Sequence, residues 1–226
     1  MTRRNYSQFC GLAHALDVVG ERWTLLIVRE LNSGPKRYTN LADALPGIGT
    51  SLLATRVRQL ESDGVIQSRL LLDQPSSAVA YELTDAGREL ATAAIPLALW
   101  GARHQLVQAD AGKEVFRAEW ALGFLAGSGA GGVPLEVEAL YEFHIGDSVA
   151  CLGIRDGRMS VAPGPAEGAP DVVVRTSAGV LASIAAQRVT MAEAVGAGQV
   201  EATGDAAAIG VLIDIVERSL SVFGPS

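Results

Sequence analysis

Residues 38–64 have the sequence YTNLADALPGIGTSLLATRVRQLESDG, and this stretch decides how the rest of the chain is interpreted. Its centre, Pro46-Gly47-Ile48-Gly49, forbids a continuous helix, because proline lacks an N–H and glycine tolerates positive φ. Apolar residues at helical spacing on both sides predict two helices joined by a tight turn. Four residues are candidate N-caps: Thr39 or Asn40 for the first helix, and Thr50 or Ser51 for the second.

The second helix has two chemically different faces. Leu53, Val57 and Leu60 follow the i, i+4, i+7 spacing, which predicts a buried stripe. The other face is basic and rich in hydrogen-bonding groups, and it carries Ser51, Ala54, Thr55, Arg58 and Ser62. A helix-turn-helix with this outer face is typical of proteins that bind duplex DNA.

A hairpin follows the two helices. Val65–Leu72 and Val79–Leu83 are rich in strand-forming residues, and residues 73–77, DQPSS, are typical of a turn. Thr84 is placed to cap the next helix. Helix, turn, helix and hairpin together predict a winged helix.

Composition excludes several classes of protein. Of the 226 residues, 49% are apolar, which is enough for a full core and argues against disorder. We find no apolar run long enough for a membrane span and no signal segment, so a soluble, cytoplasmic protein is expected. Two cysteines and three scattered histidines predict no disulfide framework, no metal site and no cofactor. We find no nucleophile, acid–base pair or phosphate-binding loop, so the chain is not expected to be an enzyme.

The net charge of −7 is unevenly distributed. Residues 1–104 carry 11 Lys+Arg and 10 Asp+Glu, whereas residues 105–226 carry 7 and 15. Because phosphate binding depends on where the basic residues lie, DNA binding is expected of the first half and not of the second.

Two helical regions flank the winged helix. Residues 12–31 form two apolar-faced segments that end at Gly34-Pro35. A long helical segment runs from Asp85 to about Asp110, and Pro96 should kink or divide it. This segment is too apolar for a solvated connector, so we expect burial against a second copy of the chain.

Residues 9–104 resemble the HxlR-type branch of the MarR-like winged-helix regulators. The motifs that carry the resemblance are Cys10, LDVVGERWTLLI at 16–27, GPKRY at 34–38, LPGI at 45–48, RVRQLE at 56–61, DG at 63–64, YELT at 81–84 with Gly87, and Trp100-Gly101. The resemblance implies a homodimer joined by the terminal helices of this domain, and a double-stranded DNA operator as partner. It also implies a recognition helix at about 50–63 and a wing near 69–80. The chain departs from the family at Ser51 and at the wing tip, Ser76-Ser77-Ala78, where the family often has basic residues.

The candidate DNA contacts are Lys36, Arg37, Thr50, Ser51, Thr55, Arg56, Arg58 and Arg69. Lys36 and Arg69 are expected to contact phosphates. For Thr55 and Arg58, the alternative to DNA contact is a solvated helix face. Arg56 either contacts DNA or turns toward the wing or a neighbouring carboxylate.

The C-terminal half begins after the Gly-rich linker at residues 128–132. Residues 136–145 alternate between apolar and polar, which predicts a half-buried antiparallel strand. Asp156-Gly157 predicts a hairpin turn, and three helices are expected with caps at Thr176 or Ser177, at Thr190 and at Asp205.

MAEAV at 191–195, GQV at 198–200 and Gly204-Asp205, in this order of elements, resemble the SCP2-like (sterol carrier protein) fold. The resemblance implies an apolar tunnel for fatty acyl chains, sterols or other hydrophobic molecules. Tyr141, Phe143, Met159 and Met191 are the candidate ligand-binding residues, and the alternative is that they only fill a core.

Cys10 is the candidate redox-sensing thiol, since some HxlR-type relatives keep such a thiol there. Arg3 and Arg4 are candidate cations to favour its thiolate. The alternative is a small apolar residue at a dimer interface.

The fold class predicted is therefore α+β: a winged helix-turn-helix domain followed by an SCP2-like domain with an antiparallel sheet and helices. The predicted domains are residues 1–110 and 133–226, and residues 111–132 between them are predicted to be a helical segment and the Gly-rich linker. The predicted function is a homodimeric DNA-binding transcriptional regulator modulated by a small hydrophobic ligand. The alternatives are a redox regulator that uses Cys10, and a lipid carrier whose winged helix serves only for dimerisation.

Overall fold

The computed structural model describes residues 5–71, 78–106, 113–127 and 137–222. The chain divides into two compact units, residues 1–91 and 92–226, here called the N-terminal and C-terminal units. The predicted domain limits place the division later, at residues 111–132, and the Gly-rich linker at 128–132 lies outside the described residues. Within the described ranges, no helix is both long enough and apolar enough to cross a membrane.

The N-terminal unit is a winged helix-turn-helix. Its elements are α1 (Gly11–Val19), α2 (Thr24–Asn32), β1 (Lys36–Arg37), α3 (Tyr38–Ala44), α4 (Thr50–Ser62), β2 (Ile66–Leu71), β3 (Ala78–Leu83) and the start of α5 (Asp85–His104). The three strands form an antiparallel sheet in the order β1-β3-β2. The predicted hairpin is confirmed, with Arg69 opposite Ala80. The predicted turn at 73–77, which includes Ser76-Ser77 of the predicted wing tip, lies outside the described residues.

The apolar stripes predicted for the two helices are buried. Leu41 and Leu45 in and after α3, and Leu53, Val57 and Leu60 on α4, are each at most 2% exposed. They form one core with Ile27 and Leu31 of α2 and with the start of α5, including Ala91. The helix-turn-helix prediction is therefore confirmed by packing.

The capping predictions for these two helices were wrong. The N-cap residues are Arg37 for α3 and Gly49 for α4, so each helix begins earlier than the predicted caps require. Thr50 is instead the first residue of α4, and its carbonyl accepts a hydrogen bond from the Tyr38 hydroxyl at 2.5 Å. The Thr84 cap is confirmed, because its Oγ1 accepts from the N–H of Gly87 at 3.1 Å.

The C-terminal unit is a sheet covered on one face by helices. After the second half of α5 it contains α6 (Ala118–Gly127), β4 (Ala139–Ile145), β5 (Ser148–Arg155), β6 (Arg158–Pro163), β7 (Val172–Thr176), α7 (Ala178–Ala185), α8 (Met191–Gly196), β8 (Glu201–Gly204) and α9 (Ala206–Ser221). The sheet order is β6-β5-β4-β7-β8. The predicted antiparallel sheet was wrong in one respect: β7 pairs parallel to β4, because the chain crosses over between β6 and β7.

Local predictions in this unit are mostly confirmed. Buried and half-buried side chains alternate along β4, and Tyr141, Phe143 and Ile145 face the core. Asp156 and Gly157 have φ of 51° and 66°, as a type I′ hairpin turn requires. The caps at Ser177, Thr190 and Asp205 are formed: their side chains accept from backbone N–H groups of α7, α8 and α9.

Helix α6 begins at Ala118, where the N–H donates to Ser148 Oγ at 2.8 Å. Pro96 was predicted to kink or divide α5; the helix continues through it, so the division was wrong.

Candidate functional site

Helix α4 presents its predicted outer face to solvent. Ser51, Thr55 and Arg58 are exposed, on the side opposite the buried stripe. Thr55 Oγ1 donates to the carbonyl of Ser51 at 2.8 Å, and Arg58 Nε donates to the carbonyl of Ala54 at 3.2 Å. In both contacts the acceptor is a carbonyl of α4 itself. Rotation about the side-chain bonds would break these hydrogen bonds and let both side chains bind a partner.

Arg56 does not share this face. Its guanidinium lies 2.6 Å from Glu21 Oε2 and 3.0 Å from Gln59 Oε1, and its side chain is 14% exposed. Sequence analysis left Arg56 either to contact DNA or to turn toward the wing or a neighbouring carboxylate, and in the structure it pairs with the carboxylate of Glu21.

Lys36 and Arg37 form the short strand β1. Lys36 Nζ lies 3.3 Å from Oε2 of Glu30, whose side chain is 1% exposed and whose other oxygen lies 2.8 Å from Arg29. A buried carboxylate is costly without counter-charges, so Lys36 stabilises the charge of Glu30, and the predicted phosphate contact would compete with this pair. Arg37 is half-buried and lies opposite Ala80 of β3.

Arg69 lies on the wing strand β2 and is 60% exposed. Its guanidinium is 3.4 Å from Oε2 of Glu82. Glu82 also accepts a hydrogen bond from Gln67 at 2.8 Å. The bond from Gln67, and to a smaller extent the interaction with Arg69, hold the pKa of Glu82 below its usual range. Arg69 keeps an accessible guanidinium close to the wing tip.

Large apolar side chains on α1 and α5 are exposed. Leu12 is 70% exposed on α1, and Phe9 just before α1 is fully exposed. On α5, Leu97 is 55% exposed and Trp100 50%. The expectation that α5 as a whole packs against a second copy was too broad, because Ile95 and Leu99 belong to the core of the C-terminal unit.

The C-terminal unit contains an apolar cavity of about 180 Å³. Two of the four predicted ligand-binding residues, Phe143 and Met191, line it. The other lining residues, which the sequence analysis missed, are Ala98, Leu99, Ala102, Ala121, Leu122, Phe124, Leu125, Leu181, Ile184, Ala185, Val216 and Leu220. Their helical periodicity predicted burial, and that signal does not distinguish a cavity wall from a filled core.

Tyr141 and Met159 do not line the cavity. Tyr141 is fully buried, its hydroxyl donates to the carbonyl of Ala208 at 3.0 Å, and burial raises its pKa to about 12. Met159 is half-buried on β6 and packs against the core. For these two residues the structure favours the core-filling alternative.

Cys10 is the N-cap residue of α1 and is exposed. The backbone N–H groups of Ala13 and Leu12 stabilise its thiolate and lower its pKa. Arg3 and Arg4, the predicted cations, lie outside the described residues. Cys151, by contrast, is buried, and burial raises the pKa of its thiol.

Comparison with known proteins gives matches to the N-terminal part of the chain. Residues 18–109 match the model of the family described as HxlR-like helix-turn-helix. YtcD of Bacillus subtilis, named an uncharacterized HTH-type transcriptional regulator, is 38% identical over 104 residues, which are 46% of this chain and 80% of YtcD. The regulator sll1512 of Synechocystis is 41% identical over 81 residues, 36% of this chain, and the match spans only 59% of its length.

Solved structures also match this part. The reduced form of the transcriptional regulator YodB from B. subtilis is 27% identical, with a TM-score of 0.40, and the match covers 45% of this chain and 100% of YodB. The reduced form of HypR, named a redox regulator, is 26% identical with a TM-score of 0.40, over 44% of this chain and 98% of HypR.

Proposed function

The chain belongs to the HxlR-like helix-turn-helix family of transcriptional regulators, and we propose that it acts as a homodimer whose DNA affinity is set by a small apolar ligand in the C-terminal unit. The observation that carries the DNA-binding part is the division of α4 into a buried leucine–valine stripe and an exposed face with Ser51, Thr55 and Arg58. An exposed guanidinium and two hydroxyls on the second helix of a helix-turn-helix are suited to base edges and phosphates in a major groove.

The exposed apolar side chains support a dimer. Phe9 and Leu12 lie at the start of the N-terminal unit, and Leu97 and Trp100 lie on α5. Large apolar side chains left in water favour association. A two-fold dimer would bind a pseudo-palindromic operator with half-sites about 34–36 Å apart.

The cavity supports the ligand and limits its chemistry. Every side chain that lines it is apolar, so a carboxylate or hydroxyl buried there would lose its hydrogen bonds to water without replacement. Drug-sized ligands occupy roughly 300–1,000 Å³, whereas benzene binds in an apolar cavity of about 150 Å³. We therefore favour a neutral molecule the size of one aromatic ring over the sterols and acyl chains that the SCP2-like resemblance implied.

Helix α5 supplies a route for coupling. Ala91 belongs to the core of the N-terminal unit, and Leu99, two turns later on the same helix, lines the cavity. A ligand that shifts the second half of α5 would also shift the first half of this helix, which packs in the core of the unit that carries α4. Couplings of this kind are typically about 1–3 kcal/mol.

The experiment is selection of a bound sequence from random duplexes with the full chain, followed by titration of that sequence. We expect Arg58→Ala to weaken binding by about 1–3 kcal/mol. Arg155→Ala, which removes an exposed arginine from the C-terminal unit, is the control and should bind as wild type. Equal binding by Arg58→Ala and wild type at physiological salt would refute the role of α4. Failure to select any sequence would favour the lipid-carrier alternative.

A second candidate function is redox regulation through Cys10. The observation that favours it is an exposed thiol whose pKa is lowered by two backbone N–H groups at the start of α1, a setting that promotes oxidation. The test is loss of operator binding on peroxide treatment, with recovery on reduction. A Cys10→Ser variant that still loses DNA under peroxide would eliminate this candidate.

A further inference from the structure

The connection between α1 and α2, Gly20-Glu21-Arg22-Trp23, touches the helix-turn-helix at two points, and we call it the connector. The first contact is the ion pair between Glu21 Oε2 and the Arg56 guanidinium, at 2.6 Å. The two residues are 35 positions apart in the chain, so the contact ties the connector to the middle of α4.

The second contact is made by Trp23. This half-buried residue packs against the core of the N-terminal unit, and its ring lies 3.7 Å from the position that a Cβ on Gly47 would occupy. Gly47 lies in the turn between α3 and α4. The connector therefore supports both the turn that sets the start of α4 and the side of α4 itself.

The backbone of Trp23 is in an unfavourable conformation. Its φ is +81°, a left-handed value that is uncommon for a bulky residue. Such conformations cost roughly 1–3 kcal/mol and persist where the surroundings impose them. The Arg22 guanidinium lies over the Trp23 ring, 5.5 Å from its centroid, which adds a cation–π contact.

Arg56 is oriented by this arrangement. Glu21 and Gln59 take its terminal nitrogens, and its Nε is buried with no hydrogen-bond partner among the described residues. A cation held in this way is directed along the side of α4 and away from the face that carries Thr55 and Arg58.

We propose that Glu21 is a positioning residue for the recognition helix: its ion pair with Arg56, together with the packing of the Trp23 ring beside the turn at Gly47, sets the orientation of α4 and keeps Arg56 from binding non-specifically to phosphates. The proposal rests on the proposed DNA-binding function. Loss of the Glu21 charge should lower affinity for the selected operator and, by freeing Arg56, raise affinity for unrelated duplexes. The ratio of specific to non-specific affinity should fall roughly 3- to 10-fold.

The experiment titrates Glu21→Gln with operator and with an unrelated duplex over a range of salt concentrations. Because an added phosphate contact steepens the salt dependence by about 0.9 in log–log slope, freed Arg56 should be visible in the non-specific titration. Glu89→Gln removes one exposed negative charge from the same unit and is the matched control. The double variant Glu21→Arg, Arg56→Glu exchanges the two charges and should restore much of the ratio of specific to non-specific affinity. General destabilisation of the protein would not explain such a recovery.

An unchanged ratio in Glu21→Gln, with wild-type salt dependence, would overturn the proposal. If wild-type protein selects no operator, the DNA-binding function fails, and hydrogen exchange still decides the positioning role. Faster exchange of α4 amides in Glu21→Gln than in Glu89→Gln supports positioning, and equal exchange rejects it.

Discussion

Lys36 Nζ lies 3.3 Å from Oε2 of Glu30, a carboxylate that is 1% exposed in the N-terminal unit. Arg29 contacts the other oxygen at 2.8 Å, so two cations neutralise one buried acid. Lys36, which the sequence pattern assigned to a DNA phosphate, is thus also a counter-ion of a buried carboxylate in its own unit.

We expect Lys36→Met to destabilise the protein by about 1–3 kcal/mol, because Glu30 would remain buried with part of its counter-charge removed. Urea denaturation of the variant measures this loss. Adding Glu30→Gln should recover part of it, since the buried charge is then absent. The salt dependence of DNA binding should not change, and a shallower slope would instead restore Lys36 as a phosphate contact.

Gly47→Ala should destabilise the helix-turn-helix by about 1–2 kcal/mol, because φ at this position is +93°, a left-handed value that alanine adopts only with strain. Thermal unfolding measures the change. Gly210→Ala is the control of opposite sign: this exposed glycine lies inside α9 with open space around its Cβ position. Alanine there should stabilise the protein by about 0.5–1 kcal/mol. A neutral Gly47→Ala would mean that the turn does not depend on the left-handed conformation.

The acid side of the stability curve should depend on Glu142. The N–H of Ala166, at 2.8 Å from Oε2, and then His144, at 2.7 Å from Oε1, hold the pKa of Glu142 below its usual 4.5. A carboxyl whose folded pKa is depressed contributes stability above the unfolded pKa and loses it as pH falls through the folded pKa. The free energy of unfolding of Glu142→Gln should therefore be lower than that of wild type at pH 7, and the difference should shrink below pH 4.5. The exposed Glu138→Gln is the control, and a pH-independent difference for Glu142→Gln would contradict the prediction.

Filling the cavity should abolish binding of a small apolar probe. Benzene at ten times its Kd should stabilise the wild-type protein by about 1.4 kcal/mol, seen as a higher Tm. Ala102→Leu places three more carbons at the cavity wall and should remove this response. Ala207→Leu, at an exposed position of α9, should keep it. An equal benzene response in Ala102→Leu would show that the probe binds elsewhere.

Features set by neighbouring residues were predictable. The buried stripe Leu53–Val57–Leu60, the Asp156-Gly157 turn and the caps at Ser177, Thr190 and Asp205 were confirmed. Each depends on side-chain periodicity or backbone preference within about ten residues. The caps of α3 and α4 were predicted wrongly because the actual N-cap residues, Arg37 and Gly49, form no side-chain cap hydrogen bond, so side-chain capping preference does not mark them.

Amino-acid order alone established a winged helix-turn-helix with an exposed polar face on α4, because helical and strand periods are local properties of the chain. Tertiary structure decided what each charge and each apolar residue does. It paired Arg56 with Glu21 and Lys36 with Glu30, placed β7 parallel to β4, and made Leu99 of α5 part of a cavity wall. Those outcomes depend on which distant elements meet when the core forms, and the meeting partners lie too far apart in sequence for periodicity to report them.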